Sequence, residues 1–323
     1  MTRRTLAIFL VVLALIIGII TPVLAFTPAG AHLLNGLAQD APMASPSPTR
    51  IPLTPTPKPT PILTARGKPP AISATVAILL DNDTGHILDD LNGEKPLPMA
   101  STTKIMTALI VIQTANLDQV VTIHQDAIDE VNLRNGSSAQ LVLGDQITLK
   151  DLLYALLLPS GDDAAIAIAD AVGGSTDNFV NTMNLFAHRL HLYQTHYSNP
   201  DGLTAPGHYT TAYDLVRLAR YAMTISLFAQ IVQMQHYALP PAAHHHGYMW
   251  DTTNTLLASY PGMTGIKTGW TPEAGGCLVF SATRNGHHLI GVVLHSLDQV
   301  YRFTDAKILL NWGFGLPLLP PSP

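Results

Sequence analysis

The sequence predicts an α+β fold: a mainly antiparallel sheet with flanking helices and an inserted all-helical part. Three observations predict it. Strand-like apolar runs lie toward both ends of the foldable region, "ATVAILLDNDTGHILDD" at 74–90 and "CLVFSATRNGHHLIGVVLHS" at 277–296. The long interval between them carries apolar residues at helical spacing instead. Asn285-Gly286, set between two apolar runs, is the strongest short hairpin signal in the chain. Strands at both ends with helices between them place the helices to one side of a shared sheet.

In chain order, Arg3 and Arg4 precede "LAIFLVVLALIIGII", and no Asp, Glu, Lys or Arg follows until Asp40. Positive charge stays cytoplasmic, so the rest of the chain is expected to be translocated. "VLA" at 23–25 suits a cleaved signal peptide. Leu6 to Ala25 also has about the ~20 residues needed to span a bilayer as a retained anchor. Residues 41–70, "APMASPSPTRIPLTPTPKPTPILTARGKPP", are too proline-dense for helix or sheet and favour an extended polyproline stalk. Such a stalk could reach on the order of 90 Å. A stalk serves only if its base is held, which tips the reading toward the anchor.

The folded part follows. Residues 74–90 read as two strands turning at Asn82–Gly85. A helix opens at Ser101. "TLKDLLYALLL" with Thr148 as its cap, "DDAAIAIADAV", "TDNFVNTMNLFAHRL" and "TTAYDLVRLARYAM" continue the helical pattern. The 277–296 hairpin and a last helix, "YRFTDAKILLNWG", close the domain. Hydrophobic residues make up 47% and charged residues 12%, the net charge is −5, and no basic run suggests a nucleic-acid surface. The single cysteine, Cys277, excludes an internal disulfide and reads as a buried strand residue. His244-His245-His246 sit consecutively in a Pro/Ala loop, without the spacing that converges metal ligands, and read as a solvated loop.

Three short motifs carry chemistry. In "PMASTTKIMTAL", Ser101 and Lys104 are three residues apart at a helix start. Positions i and i+3 share a helix face, so the amine lies beside the hydroxyl. A serine is a poor nucleophile until a base takes its proton, and a neutral buried lysine can be that base. Alone, the pair is as well read as a helix cap. "LLPSGDDAA" places Ser160 at a helix–helix break, and "GMTGIKTGWT" places Lys267-Thr268-Gly269 on a strand that glycine leaves open to a ligand. Ser-x-x-Lys, a second serine motif and Lys-Thr-Gly, in this order, mark penicillin-recognising serine enzymes.

With these motifs, and with "YSNPDGLTAPGHYTTAYDLVRLARYAM", "GIKTGWTPEAGGCLVFSATRNGHHLIGVVL" and "RFTDAKILLNWGF", the chain resembles the serine D-alanyl-D-alanine carboxypeptidases, the low-molecular-mass penicillin-binding proteins. The resemblance implies a β-lactamase/transpeptidase-like fold and the removal of D-alanine from peptidoglycan stem peptides through an acyl-enzyme. β-Lactam antibiotics would be covalent inhibitors. It implies Ser101 as nucleophile, Lys104 as its base and Ser160 as a proton relay. Lys267 would supply positive potential, Thr268 would bind the substrate carboxylate with help from Arg302, Gly269 would admit the substrate backbone, and the N–H groups of Ser101 and Trp270 would form an oxyanion hole. No metal or organic cofactor is implied. The expected organisation is 1–26 signal peptide or N-terminal membrane anchor, 27–72 Pro-rich disordered linker, 73–316 catalytic domain and 317–323 tail. Membrane contact is expected only through the N-terminal segment, placing the enzyme at the outer face of the membrane or in the wall.

One position departs from the family pattern. The second motif usually reads Ser-x-Asn, and here residue 162 is aspartate, which accepts but does not donate when ionised. Asp162 is expected to raise the proton affinity of Lys104, with Lys267 taking part of its charge by pairing with it. Two other readings stand beside the carboxypeptidase. A β-lactamase-like hydrolase is disfavoured because class A enzymes use a glutamate-activated water and no glutamate lies between Ser160 and Lys267. A catalytically weak cell-wall binding or penicillin-sensing module is the alternative that Asp162 makes conceivable.

Overall fold

Strand β2 (Val76–Asp81) is buried along its whole length, yet its side chains divide between two cores by strict alternation. Val76, Ile78 and Leu80 face one core, and Ala77 and Leu79 face the other. Strands β9 (Gly275–Arg284) and β10 (His287–Ser296) divide in the same way, with Val279 and Val292 on one side and Phe280 and Val293 on the other. A sheet covered on both faces needs apolar residues at every position, so these strands read as unbroken apolar runs.

The computed structural model describes residues 62–319 apart from residue 66. The expected signal or anchor, most of the expected linker and the last four residues lie outside the described residues. Among the described residues no single helix is long and apolar enough to cross a membrane.

The central sheet has the order β3-β2-β10-β9-β8, with β3 at Ile87–Leu91 and β8 at Met263–Thr271, and every pairing is antiparallel. The β9–β10 turn is Asn285-Gly286, with φ of 51° and 78°. A type I′ turn needs positive φ at both positions, which is the reason this dipeptide announces a hairpin. β2 then pairs with β10, setting Ile78 opposite Val292 and closing the N-terminal hairpin onto the C-terminal one.

One face of the sheet carries helix α9 (Tyr301–Phe314), packed through Ala306, Leu309 and Leu310. The other carries the helical part. There α1 (Lys104–Thr114) follows a single 3₁₀ turn at Ala100–Thr103, and α2 spans Gln125–Arg134. Strands β4 (Val120–Thr122) and β5 (Gln146–Thr148) pair before α3 (Leu149–Leu157), whose N-cap is the expected Thr148, accepting from the N–H of Asp151. Then come α4 (Asp162–Gly173), α5 (Thr176–Arg189), α6 (Ala212–Met223) and α7 (Ser226–Val232). The hairpin of β6 (His236–Leu239) and β7 (Tyr248–Asp251) and the short α8 (Leu256–Ser259) lead into β8. His244–His246 lie in the β6–β7 connection, where the exposed His246 bonds Asp145 through Nδ1 at 2.9 Å.

The folded part extends past its expected limits at both ends. β1 (Ile62–Leu63) pairs antiparallel with β11 (Leu318–Leu319), and Leu63 is buried in the α9 core. These residues were assigned to linker and tail because two-residue strands leave no periodicity to read. Cys277 is buried on β9 as expected, and burial pushes its thiol up to about 11, which keeps it inert at neutral pH.

Candidate active site

Helix α1 is apolar on every side. Residues Ile105 to Val111 are buried, so the helix runs through the protein interior and brings Lys104 with it at 0% exposure. Ser101 is in the 3₁₀ turn just ahead. Its hydroxyl makes no capping bond to that turn, so the cap reading of Ser101 does not hold; Ser101 Oγ accepts from Lys104 Nζ at 3.0 Å. Lys104 Nζ has two further acceptors, the Asp162 carboxylate and the main-chain carbonyl of Asp201 at 2.6 Å. An ammonium has three protons, and here each meets one oxygen.

The turn that holds Ser101 is strained and braced. Ala100 has φ of 47°, a left-handed conformation that costs an alanine on the order of 1 kcal/mol. Its carbonyl accepts from Thr103 Oγ1 at 2.9 Å. Gly202 closes over it, and a Cβ at that position would lie 2.0 Å from the Ala100 carbonyl oxygen. Only glycine fits. Behind Thr103 is His208, whose Nδ1 accepts from the N–H of Ser198 at 3.0 Å. That fixes the ring proton on Nε2, which donates to Thr103 Oγ1 at 2.8 Å. Burial, then the charges of His196 and Lys104, push this imidazole down to about 4 from 6.5.

A depressed histidine means that the unfolded chain binds the extra proton first. The stabilising contribution of neutral His208 is full above pH 6.5 and is lost as pH falls toward 4, amounting to about 3 kcal/mol. Asp201, raised to about 6, works in the opposite direction over the same interval. The histidine's share therefore shows as a difference between proteins. His208→Gln should lose less stability than the parent between pH 7 and pH 4.5 in urea unfolding. Equal losses would remove this role from His208.

Asp162 is the first residue of α4 and is 1% exposed. Its Oδ1 meets Lys104, and its Oδ2 accepts from the N–H of Ser137 at 2.7 Å. Burial pushes its carboxyl up, against the lowering effect of the Lys104 charge. Lys267 does not pair with Asp162. It donates to Ser160 Oγ at 2.8 Å and to the Thr268 carbonyl at 3.1 Å, so Asp162 bonds Lys104 directly and acts on Lys267 only through space. The reason is placement: Lys267 enters from β8, on the Ser160 side of the α3–α4 break. Burial, then the charges of Lys104 and Arg302, hold the Lys267 amine well below its ordinary range. Ser160 adopts φ of 70°, which turns its hydroxyl out of the helix break toward Lys267.

Strand β8 forms the opposite wall. A Cβ at Gly269 would stand 3.0 Å from the Ser101 nitrogen, so glycine lets the strand run against the Ser101 turn. Thr268 Oγ1 bonds Thr253 Oγ1 at 2.5 Å. Arg302, expected at the substrate carboxylate, donates from Nη1 to the Gly269 carbonyl at 2.7 Å and braces the strand from the α9 side. A cavity of about 540 Å³ opens above Ser101, lined among others by Asp162, Ser137, Arg134, Thr204 and Trp270. Trp270 is 42% exposed at its mouth.

Sequence reasoning missed Asp201, Ser137, Thr253 and His208. The one legible hint was "SNPDGL" at 198–203, a turn signal whose glycine had no stated purpose. The structure supplies that purpose in the contact between Gly202 and Ala100.

Residues 64–297 match the family model described as D-alanyl-D-alanine carboxypeptidase. The chain is 39% identical to a D-alanyl-D-alanine carboxypeptidase of Streptomyces sp. (strain K15), covering 76% of this chain and 89% of that one. It is 32% identical to D-alanyl-D-alanine carboxypeptidase DacF of Bacillus subtilis (strain 168), over 76% of this chain and 63% of that longer protein. Among solved structures, the Streptomyces K15 DD-transpeptidase superposes with a TM-score of 0.74 at 40% identity, covering 77% of this chain and all of that one. A D-alanyl-D-alanine carboxypeptidase from Mycobacterium tuberculosis H37Rv gives a TM-score of 0.72 at 30% identity, over 81% of this chain and all of that one.

Proposed function

The chain belongs to the D-alanyl-D-alanine carboxypeptidase family, peptidase S11, and from that premise we propose that it releases the terminal D-alanine of peptidoglycan stem peptides with Ser101 as nucleophile. The observation that carries the assignment is the buried Lys104 amine, 3.0 Å from Ser101 Oγ. In the neutral state that amine takes the hydroxyl proton while Oγ bonds to the substrate carbonyl carbon. The N–H groups of Ser101 and Trp270 receive the negative charge that develops on the carbonyl oxygen. As the peptide C–N bond breaks, the proton that Lys104 took is relayed through Ser160 to the leaving D-alanine nitrogen, with Lys267 beside Ser160. Thr268 and Lys267 hold the terminal carboxylate. Arg302 acts through the strand, fixing the Gly269 carbonyl and adding positive potential. Water then cleaves the acyl-enzyme and returns the proton to Ser101. A β-lactam acylates the same hydroxyl and has no leaving group that departs.

The first 25 residues support export to the outer face of the cell membrane or the wall, with the N-terminal segment as the membrane contact. The reaction is tested by offering the full chain two peptides that differ only in ending D-Ala-D-Ala or D-Ala-L-Ala. Release of the terminal D-alanine from the first and no release of the terminal L-alanine from the second is the expected result. A penicillin adduct without any release would instead identify a binding or sensing module.

A further inference from the structure

The third acceptor of Lys104, the Asp201 carbonyl, belongs to a residue whose own side chain is fully buried. Asp201 Oδ1 accepts from the N–H of Leu203 at 2.6 Å. Asp201 Oδ2 is buried and receives no donor. The carboxyl packed against it is Glu130 on α2, and among the described residues Glu130 Oε1 is likewise buried and receives no well-directed hydrogen bond. Two carboxylate oxygens that face each other in the interior have no means of satisfying one another unless a proton lies between them. Left bare, the Asp201 oxygen in particular would carry the desolvation cost of an unpaired buried charge. Arg134 Nη1 stands 3.0 Å from Glu130 Oε1, an ion-pair contact without hydrogen-bond alignment.

We propose that Glu130 and Asp201 share one proton and that the pair positions and tunes the base of the reaction. Arg134 draws the negative charge onto Glu130, so the proton rests on Asp201 and donates to Glu130. Two consequences follow for Lys104. The carbonyl that takes its third N–H is pinned by the Asp201 side chain, and a second carboxylate charge is kept off the ammonium. The groups facing Asp201 are Lys104 on α1, Glu130 with Arg134 on α2, and Asp162 on α4. Of these, only Lys104 favours ionised Asp201 directly; burial and both carboxylates oppose it. Burial raises the Asp201 carboxyl to about 6, so the shared proton titrates within the range where the enzyme must work. Loss of that proton adds negative charge beside Lys104 and favours its protonated, inactive form.

The role assigned to Lys104 rests on the proposed function, so the test has an arm that does not. Infrared spectra of the full chain between pH 5 and 8 should show a protonated-carboxyl band that titrates out at about pH 6 or above. The band should disappear from that range in both Asp201→Asn and Glu130→Gln. The absence of any such band, or a band that survives either substitution, overturns the shared proton whether or not the protein turns over peptide. The second arm follows penicillin acylation against pH. Glu130→Gln donates an amide N–H to Asp201 and fixes it as a carboxylate, so below about pH 6, where the parent holds the shared proton, its acylation should be roughly tenfold slower than the parent's. Asp201→Asn fixes the neutral form, and its rising limb should lie below that of Glu130→Gln. Rates lowered evenly at all pH values, with both limbs unmoved, would reduce the pair to a structural contact.

Discussion

Ser101→Ala leaves the protein folded, abolishes the covalent penicillin adduct and lowers D-alanine release by on the order of 10⁴-fold or more. The expected size follows from the role: removing a nucleophile leaves only binding and the oxyanion hole. The expected selectivity follows from the geometry. Among the described residues Ser101 Oγ makes no bond to its own turn, and its one partner is Lys104, which keeps Asp162 and the Asp201 carbonyl. The turn itself is held by Thr103, His208 and Gly202, none of which the substitution touches. Mass spectrometry of the penicillin-treated protein and thermal unfolding of the variant check the two halves. An adduct persisting in Ser101→Ala, or found on another residue of the parent, removes Ser101 from the mechanism.

The second large effect is expected at Lys104, and the structure ties it to Asp162. Lys104→Met takes away the base, a loss of about 10²–10⁴ in acylation rate. It also leaves Asp162, 1% exposed, without its counter-charge, and breaking a buried pair this way costs about 3–5 kcal/mol. Asp162→Asn should act in the opposite direction on the chemistry. The Ser137 N–H must still be accepted, so the asparagine oxygen turns to it and the amide N–H₂ faces Lys104. Two donors cannot face each other, and Lys104 is driven to its neutral form, ready to take the Ser101 proton. Asp162→Asn alone should therefore speed acylation at pH 7 by about tenfold for each unit by which the rising limb moves down. The double variant should recover most of the stability lost in Lys104→Met and none of its rate. Urea unfolding and stopped-flow acylation across pH 5 to 10 separate the two quantities. A slower Asp162→Asn with an unmoved profile would show that the carboxylate itself takes part in the reaction.

These expectations differ from what the sequence supported. From residue 162 alone, the aspartate charge appeared to be shared between two lysines with a modest penalty. The fold gives Asp162 a direct bond to Lys104 and only a through-space effect on Lys267, because Lys267 arrives on a strand that presents it to Ser160 and to its own strand's carbonyl. Arg302 shows the same division. Its place at the head of the last helix is legible, and the fold adds the bond from its guanidinium to the Gly269 carbonyl.

What the sequence determined by itself is local. The Asn285-Gly286 hairpin, the Thr148 cap, the helical periods and the Ser101–Lys104 spacing each depend on residues within a turn or two of one another, and the chain carries their geometry wherever it folds. The order of the three motifs added the family, and with it the expectation that they converge. Tertiary structure decided the partners of Lys104: a carboxylate 58 residues away and a carbonyl 97 residues away. It also decided the Glu130–Asp201 contact, the β2–β10 pairing and the β1–β11 pair that extends the domain at both ends. Such contacts leave no period or spacing in the chain. They arise because burying α1 between the sheet and the other helices removes water from Lys104, and its protons then require whichever oxygens the fold has brought within reach.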